Sequence, residues 1–410
     1  MKLYYLTLSI PFLTVSGSLM SGEIMGSSRS IILADPLIYI ITIISLQRAI
    51  ANGYRILDRI SISFLLMLIF LAFSAIYKGT YVKSEFLFPF KNLTTCFFLY
   101  LITVYTIDTP QKLTHLFYSL VGATVVLCLK AKSGFSSNDA FEIAHNRGLG
   151  FAGGYTWNAL VGTLSYILPF VFILLSRSFA LKKHIAKVTL VMVFVAFIFI
   201  AVLSGGRQAL GTMIISGILF ILWNNNTAKS KKIFALSLIF ICLILSFWLV
   251  LKFFPEFARF AADKRSRVGS DFIDQRVINS LYLPLMNFDI LEYLIFGDGI
   301  SNKHNIITTV LYRFGIVGFI FFFLRFNFYY KNAKWLYLEK EKVFQKEFGF
   351  PIIKFILILF INFFITNYVA NIWYQVIVYG YFFWISLGAI MGALSHTINP
   401  NEQNIKPEKL

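Results

Sequence analysis

Cysteine is scarce. Only Cys96, Cys128 and Cys242 occur in 410 residues, each inside an apolar run. Thiols so placed behave as small core residues, which excludes a disulfide framework and suggests no metal site. Acids are few as well: 19 Asp and Glu stand against 37 Lys and Arg, for a net charge of +18. No carboxylate cluster with metal-ligand spacing stands out. No period of about 20 to 50 residues recurs, so the chain is not a repeat array. No small-residue cleavage site follows the first apolar run, so residues 3–20 read as a membrane span rather than a removable leader.

What is present is hydrocarbon: 58% of residues are hydrophobic and 18% aromatic. Apolar runs of about 18 residues or more recur along the chain and predict a polytopic α-helical membrane protein. The expected fold is all-α, a bundle of about twelve transmembrane helices in one integral membrane domain, 1–410. The spans fall near 3–20, 31–47, 60–77, 86–107, 113–130, 158–176, 188–205, 208–223, 233–254, 306–326, 351–368 and 372–394. In a soluble protein the positive charge would suggest nucleic acid. In this one it points to cytoplasmic loops and to anionic lipid or lipid-linked ligands, with no nucleic acid partner.

The basic residues cluster after even-numbered spans. Arg48, Arg55 and Arg59 form one group, and Arg177, Lys182, Lys183 and Lys187 a second. Lys229, Lys231 and Lys232 form a third, and Arg325, Lys331, Lys334, Lys340, Lys342 and Lys346 a fourth. One orientation satisfies all four, with both termini and the tail 395–410 cytoplasmic. Segment 255–305 is then a long extracytoplasmic loop carrying short helices. It holds Arg259, Lys264, Arg265, Arg267, Arg276 and Lys303, and four of these six are arginine. Arginine offers a planar fork that grips phosphate or carboxylate through two bonds. The loop also carries acids, including Asp263, Asp271, Asp274 and Asp298, with which some arginines could simply pair.

The stretch Phe296-Gly-Asp-Gly-Ile-Ser-Asn-Lys-His304-Asn305 leads directly into span ten. His304 therefore sits where water meets hydrocarbon, and an unperturbed imidazole exchanges a proton near neutral pH. Gly315 and Gly318, three apart, predict a small notch for close helix contact. Two further features share the outer side. Leu203-Ser-Gly-Gly-Arg207 joins spans seven and eight, holding a cation at a helix start where backbone amides favour an anion. Snorkelling of Arg207 to the headgroups is the open alternative. Arg147-Gly-Leu-Gly-Phe151 leads to Trp157-Asn158 at the mouth of span six, a potential sugar-stacking platform or an ordinary aromatic belt.

The order R-G-x-G-F…W-N, L-S-G-G-R, D-Q-R-V, F-G-D-G, then H-N and nine residues to G-x-x-G resembles the O-antigen ligase and polymerase superfamily. The likeness covers about 145–320; Phe319 departs from the polar residue that often follows the second glycine. The resemblance implies a metal-independent glycosyltransferase of the bacterial inner membrane, without cofactor. Its active site would face the periplasm, and its donor would be a glycan on undecaprenyl pyrophosphate. Arg207 and Arg276 match the arginines thought to hold the donor pyrophosphate, and His304 matches the essential histidine. Arg147, Asn158, Arg265, Arg267 and Asn305 are the substrate-binding candidates, with Arg265 and Arg267 in reserve for Arg276. A polymerase joins lipid-linked repeat units, and is the favoured reading; a ligase transfers the glycan to lipid A-core in lipopolysaccharide biosynthesis. A chain-length regulator and a flippase of the same pathway are the implied protein partners. The rival class is a transporter of lipid-linked oligosaccharide, which calls for charged or broken helices near the bilayer midplane.

A single cysteine placed at position 301 should react with a membrane-impermeant thiol reagent, and one at position 340 should not. The reverse pattern would overturn the orientation.

Overall fold

The computed structural model describes residues 3–16, 18–24, 27–32, 34–51, 58–134, 157–203, 207–224, 306–370 and 377–395, with isolated positions between 232 and 297. Among the described residues, eleven helices run in chain order: α1 (Leu3–Ser16), α2 (Ala34–Ala51), α3 (Arg59–Tyr77), α4 (Ser84–Thr106), α5 (Pro110–Gly134), α6 (Trp157–Ala180), α7 (His184–Leu203), α8 (Arg207–Trp223), α9 (Ile306–Phe348), α10 (Ile352–Ala370) and α11 (Ile377–Ser395). Between α1 and α2 lies an antiparallel hairpin of β1 (Ser18–Ile24) and β2 (Ser27–Ile32), pairing Gly22 with Arg29 and Glu23 with Ser28. The sequence reading had given these residues to the ends of spans one and two and a plain connection. Ser, Gly and a charge on each strand make the run too polar for hydrocarbon, and pairing satisfies its backbone.

Among the described residues, seven helices are long and apolar enough to cross a membrane, and four shorter apolar helices accompany them. These correspond to eleven of the expected spans. The remaining one, 233–254, lies largely outside the described residues, as do most of loop 255–305 and the tail. Helices prevail because hydrocarbon offers no partner for a bare peptide group. Buried hydroxyls follow the same rule: Thr42, Thr103 and Ser178 each bond the carbonyl four residues back.

Two close packings build the centre. α11 lies along α4 through Gly388 and Gly392, spaced as small-x-x-x-small. A Cβ on Gly392 would stand 2.5 Å from the Val104 carbonyl oxygen and 2.6 Å from that of Ile107. α9 lies along α3. Asp58 caps α3 by accepting from the Ser61 amide at 2.6 Å, and its other oxygen accepts from Tyr100 Oη at 3.1 Å.

Contacts between helix termini show which of them share an end of the bundle. Tyr4 Oη and His115 Nδ1 are 2.6 Å apart, so α1 and α5 start together. Arg177 grips Glu347 through Nε and Nη2 at 2.9 and 2.6 Å, joining the end of α6 to the end of α9. Lys354 Nζ donates to the Trp223 carbonyl at 3.0 Å, joining α8 to α10. Lys340 Nζ donates to the Leu394 carbonyl, joining α9 to α11. These contacts place the C-terminal ends of α6, α8, α9 and α11 on one side of the bundle.

Segment 325–350 corrects the sequence reading. It is not a basic loop: α9 runs on as helix to Phe348. Phe322, Phe326, Tyr329, Ala333, Leu336, Tyr337, Phe344 and Phe348 are buried at helical spacing, while the lysines lie mostly on the other face. The charge count hid that stripe. Arg325, at 1% exposure, and Lys340, at 7%, are interior. The labelling experiment therefore needs Lys342, which is exposed, in place of position 340.

Gly392→Ala should lower thermal stability by about 1–3 kcal/mol through overpacking against α4. Gly211→Ala should be neutral or stabilising by about 0.5–1 kcal/mol, because its added methyl meets no described atom within 4 Å. Unfolding midpoints of the purified protein would distinguish the two.

Candidate functional site

Most of the sequence-derived site residues lie outside the described residues: Arg147, Arg265, Arg267, Arg276, His304 and Asn305. Two have a described backbone. Asn158 is the second residue of α6, and Arg207 the first of α8. These helices pack side by side. Ser216 Oγ donates to Asn362 Oδ1 at 2.6 Å, and Asn362 Nδ2 donates to the Ser165 carbonyl at 3.3 Å. Both helices therefore pass one level together. Counting back at about 1.5 Å per residue puts their starts roughly 12–14 Å from that level. Asn158 and Arg207 thus share an end of the bundle, opposite the Arg177–Glu347 pair. The first-turn amides of α8 have no carbonyl within their own helix and present partial positive charge there.

The motif glycines form a second feature. Gly315 interrupts α9 with φ 67° and ψ 179°, a conformation that strongly favours glycine. Gly297, with φ 71°, lies directly on this break: a Cβ there would stand 2.5 Å from the Arg313 carbonyl oxygen and 2.6 Å from the Gly315 nitrogen. The F-G-D-G and G-x-x-G pieces are thus one backbone contact. A Cβ on Gly318 would collide with Cβ of Phe314, one turn earlier in the same helix. The expected notch for a neighbouring helix is instead a break within α9, with Gly318 making room for the displaced turn. His304 and Asn305 fall between two described anchors, Gly297 and Ile306.

Sequence reasoning missed the surroundings of Asp35 and Arg325. Asp35, near the start of α2, is ion-paired with Lys91 of α4 and accepts from Tyr381 Oη of α11 at 2.8 Å. Tyr39 Oη and Thr95 Oγ1 lie one turn on, 3.2 Å apart. Lone charges inside spans two and four were the available signal. Arg325 is caged by aromatic rings. Its Cζ lies 4.4 Å from the ring centres of Phe64 and Trp384, 4.9 Å from Phe322 and 5.4 Å from Phe326. The sequence F-F-F-L-R-F-N-F announces it. Each desolvated cation–π contact contributes up to about 2 kcal/mol, against a burial cost of several kcal/mol for the charge. Among the described residues, no three of His, Cys, Asp and Glu gather as metal ligands would.

Gly297→Ala and Gly315→Ala should each destabilise the protein by about 1–3 kcal/mol, since both force a side chain into positive φ. Because they share one contact, the double variant should lose less than the two losses added. Strict additivity in thermal unfolding would show that the glycines do not act as a unit.

No protein-family model matches the chain, and no curated protein does either, so the family resemblance rests on the motif residues alone.

Proposed function

We propose that the chain is a periplasmic-face glycosyltransferase that polymerises undecaprenyl-pyrophosphate-linked O-antigen or related repeat units. The observation that carries this reading is the contact of Gly297 with the Arg313–Gly315 backbone. It joins two separated pieces of the motif and brackets His304 between them. The shared end of Asn158 and Arg207 adds a second support. In this reading the bundle has about twelve spans, both termini are cytoplasmic, and loop 255–305 is periplasmic.

The chemistry needs three things. An acceptor hydroxyl must lose its proton as its oxygen bonds to the anomeric carbon of the donor sugar. The bond from that carbon to the pyrophosphate oxygen must break. The departing undecaprenyl pyrophosphate must be stabilised as negative charge develops on it. His304 is assigned the proton, and Arg207 and Arg276 the pyrophosphate. Arg147, Asn158 and Asn305 are assigned the glycan, with Arg265 and Arg267 in reserve for Arg276. A ligase would use the same donor chemistry with lipid A-core as acceptor.

One observation favours the transporter alternative. α9 is broken at Gly315, and the bundle interior holds Arg325 and the Asp35–Lys91 pair, features expected where polar lipid heads cross. Transport forms no new glycosidic bond, and the two readings separate on that product.

Arg207→Ala and Arg276→Ala should each abolish transfer in vitro from a lipid-linked repeat unit while the protein remains in the membrane. Lysine should rescue poorly, because it lacks the planar fork. His304→Gln should reduce the rate by roughly 10²–10⁴-fold. Full activity in any of these alanine or glutamine variants would remove that residue from the site.

A further inference from the structure

The Arg325 cage supplies donors without acceptors. Nε, Nη1 and Nη2 of Arg325 are buried and find no hydrogen-bond partner among the described residues. Nε1 of Trp384, whose ring centre is 4.4 Å from the guanidinium carbon, is likewise buried and unpartnered. Arginine presents five N–H groups and tryptophan one, so this interior point concentrates donors carried by two helices, α9 and α11. Aromatic faces offset positive charge but accept these hydrogens weakly. The carboxylate on the neighbouring helix is already engaged. Asp58, six residues before Phe64, accepts from the Ser61 amide and the Tyr100 hydroxyl and makes no ion pair with Arg325.

The missing partner must accept several N–H bonds, carry one negative charge and be small. A single guanidinium balances a monoanion. Lys91 is committed to Asp35, so a divalent phosphate beside Arg325 would be left half-neutralised. None of the four nitrogens reaches the surface, which disfavours a bulky lipid headgroup. A spherical ion accepts from any direction and needs no acceptor geometry of its own. We propose that Arg325 and Trp384 bind a small halide-class anion in a dry site walled by Phe64, Phe322 and Phe326. This site does not depend on the glycosyltransferase reading, since it uses none of the residues assigned to transfer.

The test uses full-length protein in detergent micelles, with bromide replacing gluconate at constant ionic strength. Unfolding midpoint and tryptophan fluorescence are read together. The parent should gain a saturable rise in midpoint with concurrent quenching, because a ligand held by the folded state alone stabilises it. Arg325→Met should lose both responses, and Trp384→Phe should need roughly tenfold more bromide for half-saturation. A parent indifferent to bromide overturns the proposal, and so does an Arg325→Met variant that responds like the parent. If Arg325→Met does not accumulate folded, an unchanged half-saturation in Trp384→Phe overturns it. Stabilisation by added phosphatidylglycerol but not by bromide would assign the donors to a lipid phosphate and end the halide reading.

Discussion

Close backbone approach at glycine is the constraint on which this bundle depends. At Gly392 and Gly388 the α11 backbone comes so near α4 that any Cβ would meet carbonyl oxygens or Thr103. At Gly297 the incoming chain rests on the α9 backbone where Gly315 breaks it. In hydrocarbon, apolar surface alone gives little reason for one helix to prefer another, so contact distance and polar bonds decide. The first glycine pair places α11, which brings Tyr381 to Asp35 and Trp384 to Arg325. The second holds Gly297 against α9 where that helix breaks.

Much of the helix inventory was legible because lipid leaves a backbone few choices. Apolar length alone located α2 to α8, α10 and α11 within a few residues. Charge alone misled: Lys331, Lys334, Lys342 and Lys346 look like a loop until the buried positions between them are read at helical period. The hairpin at 18–32 was hidden because its residues had been absorbed into neighbouring spans. Gly315 was visible as a glycine but not as a break, since no local pattern distinguishes a notch from a positive-φ joint. Gly388 and Gly392 are legible as a small-x-x-x-small pair. Of the site, Arg207 and Asn158 were placed correctly at helix starts; the loop residues lie outside what the structure describes.

Two interior charge groups differ in how they are paired. Asp35, Lys91 and Tyr381 lie toward the end shared with Asn158 and Arg207. Arg325 lies among Phe64, Phe322, Phe326 and Trp384. Ordinary structural use explains the first group, where each charge meets its complement. It does not explain the second, where donors outnumber acceptors. A broken helix and an interior arginine also suit a protein that moves a polar headgroup, so the physical account keeps transfer and transport apart by product rather than by architecture.

The most direct measurement reconstitutes the purified chain in liposomes with an undecaprenyl-pyrophosphate-linked repeat unit and analyses both products. The account predicts lipid-linked glycans longer than the input, with free undecaprenyl pyrophosphate released in proportion to the new glycosidic bonds. Movement of intact donor between leaflets, with no glycan elongation and no released pyrophosphate lipid, would contradict it.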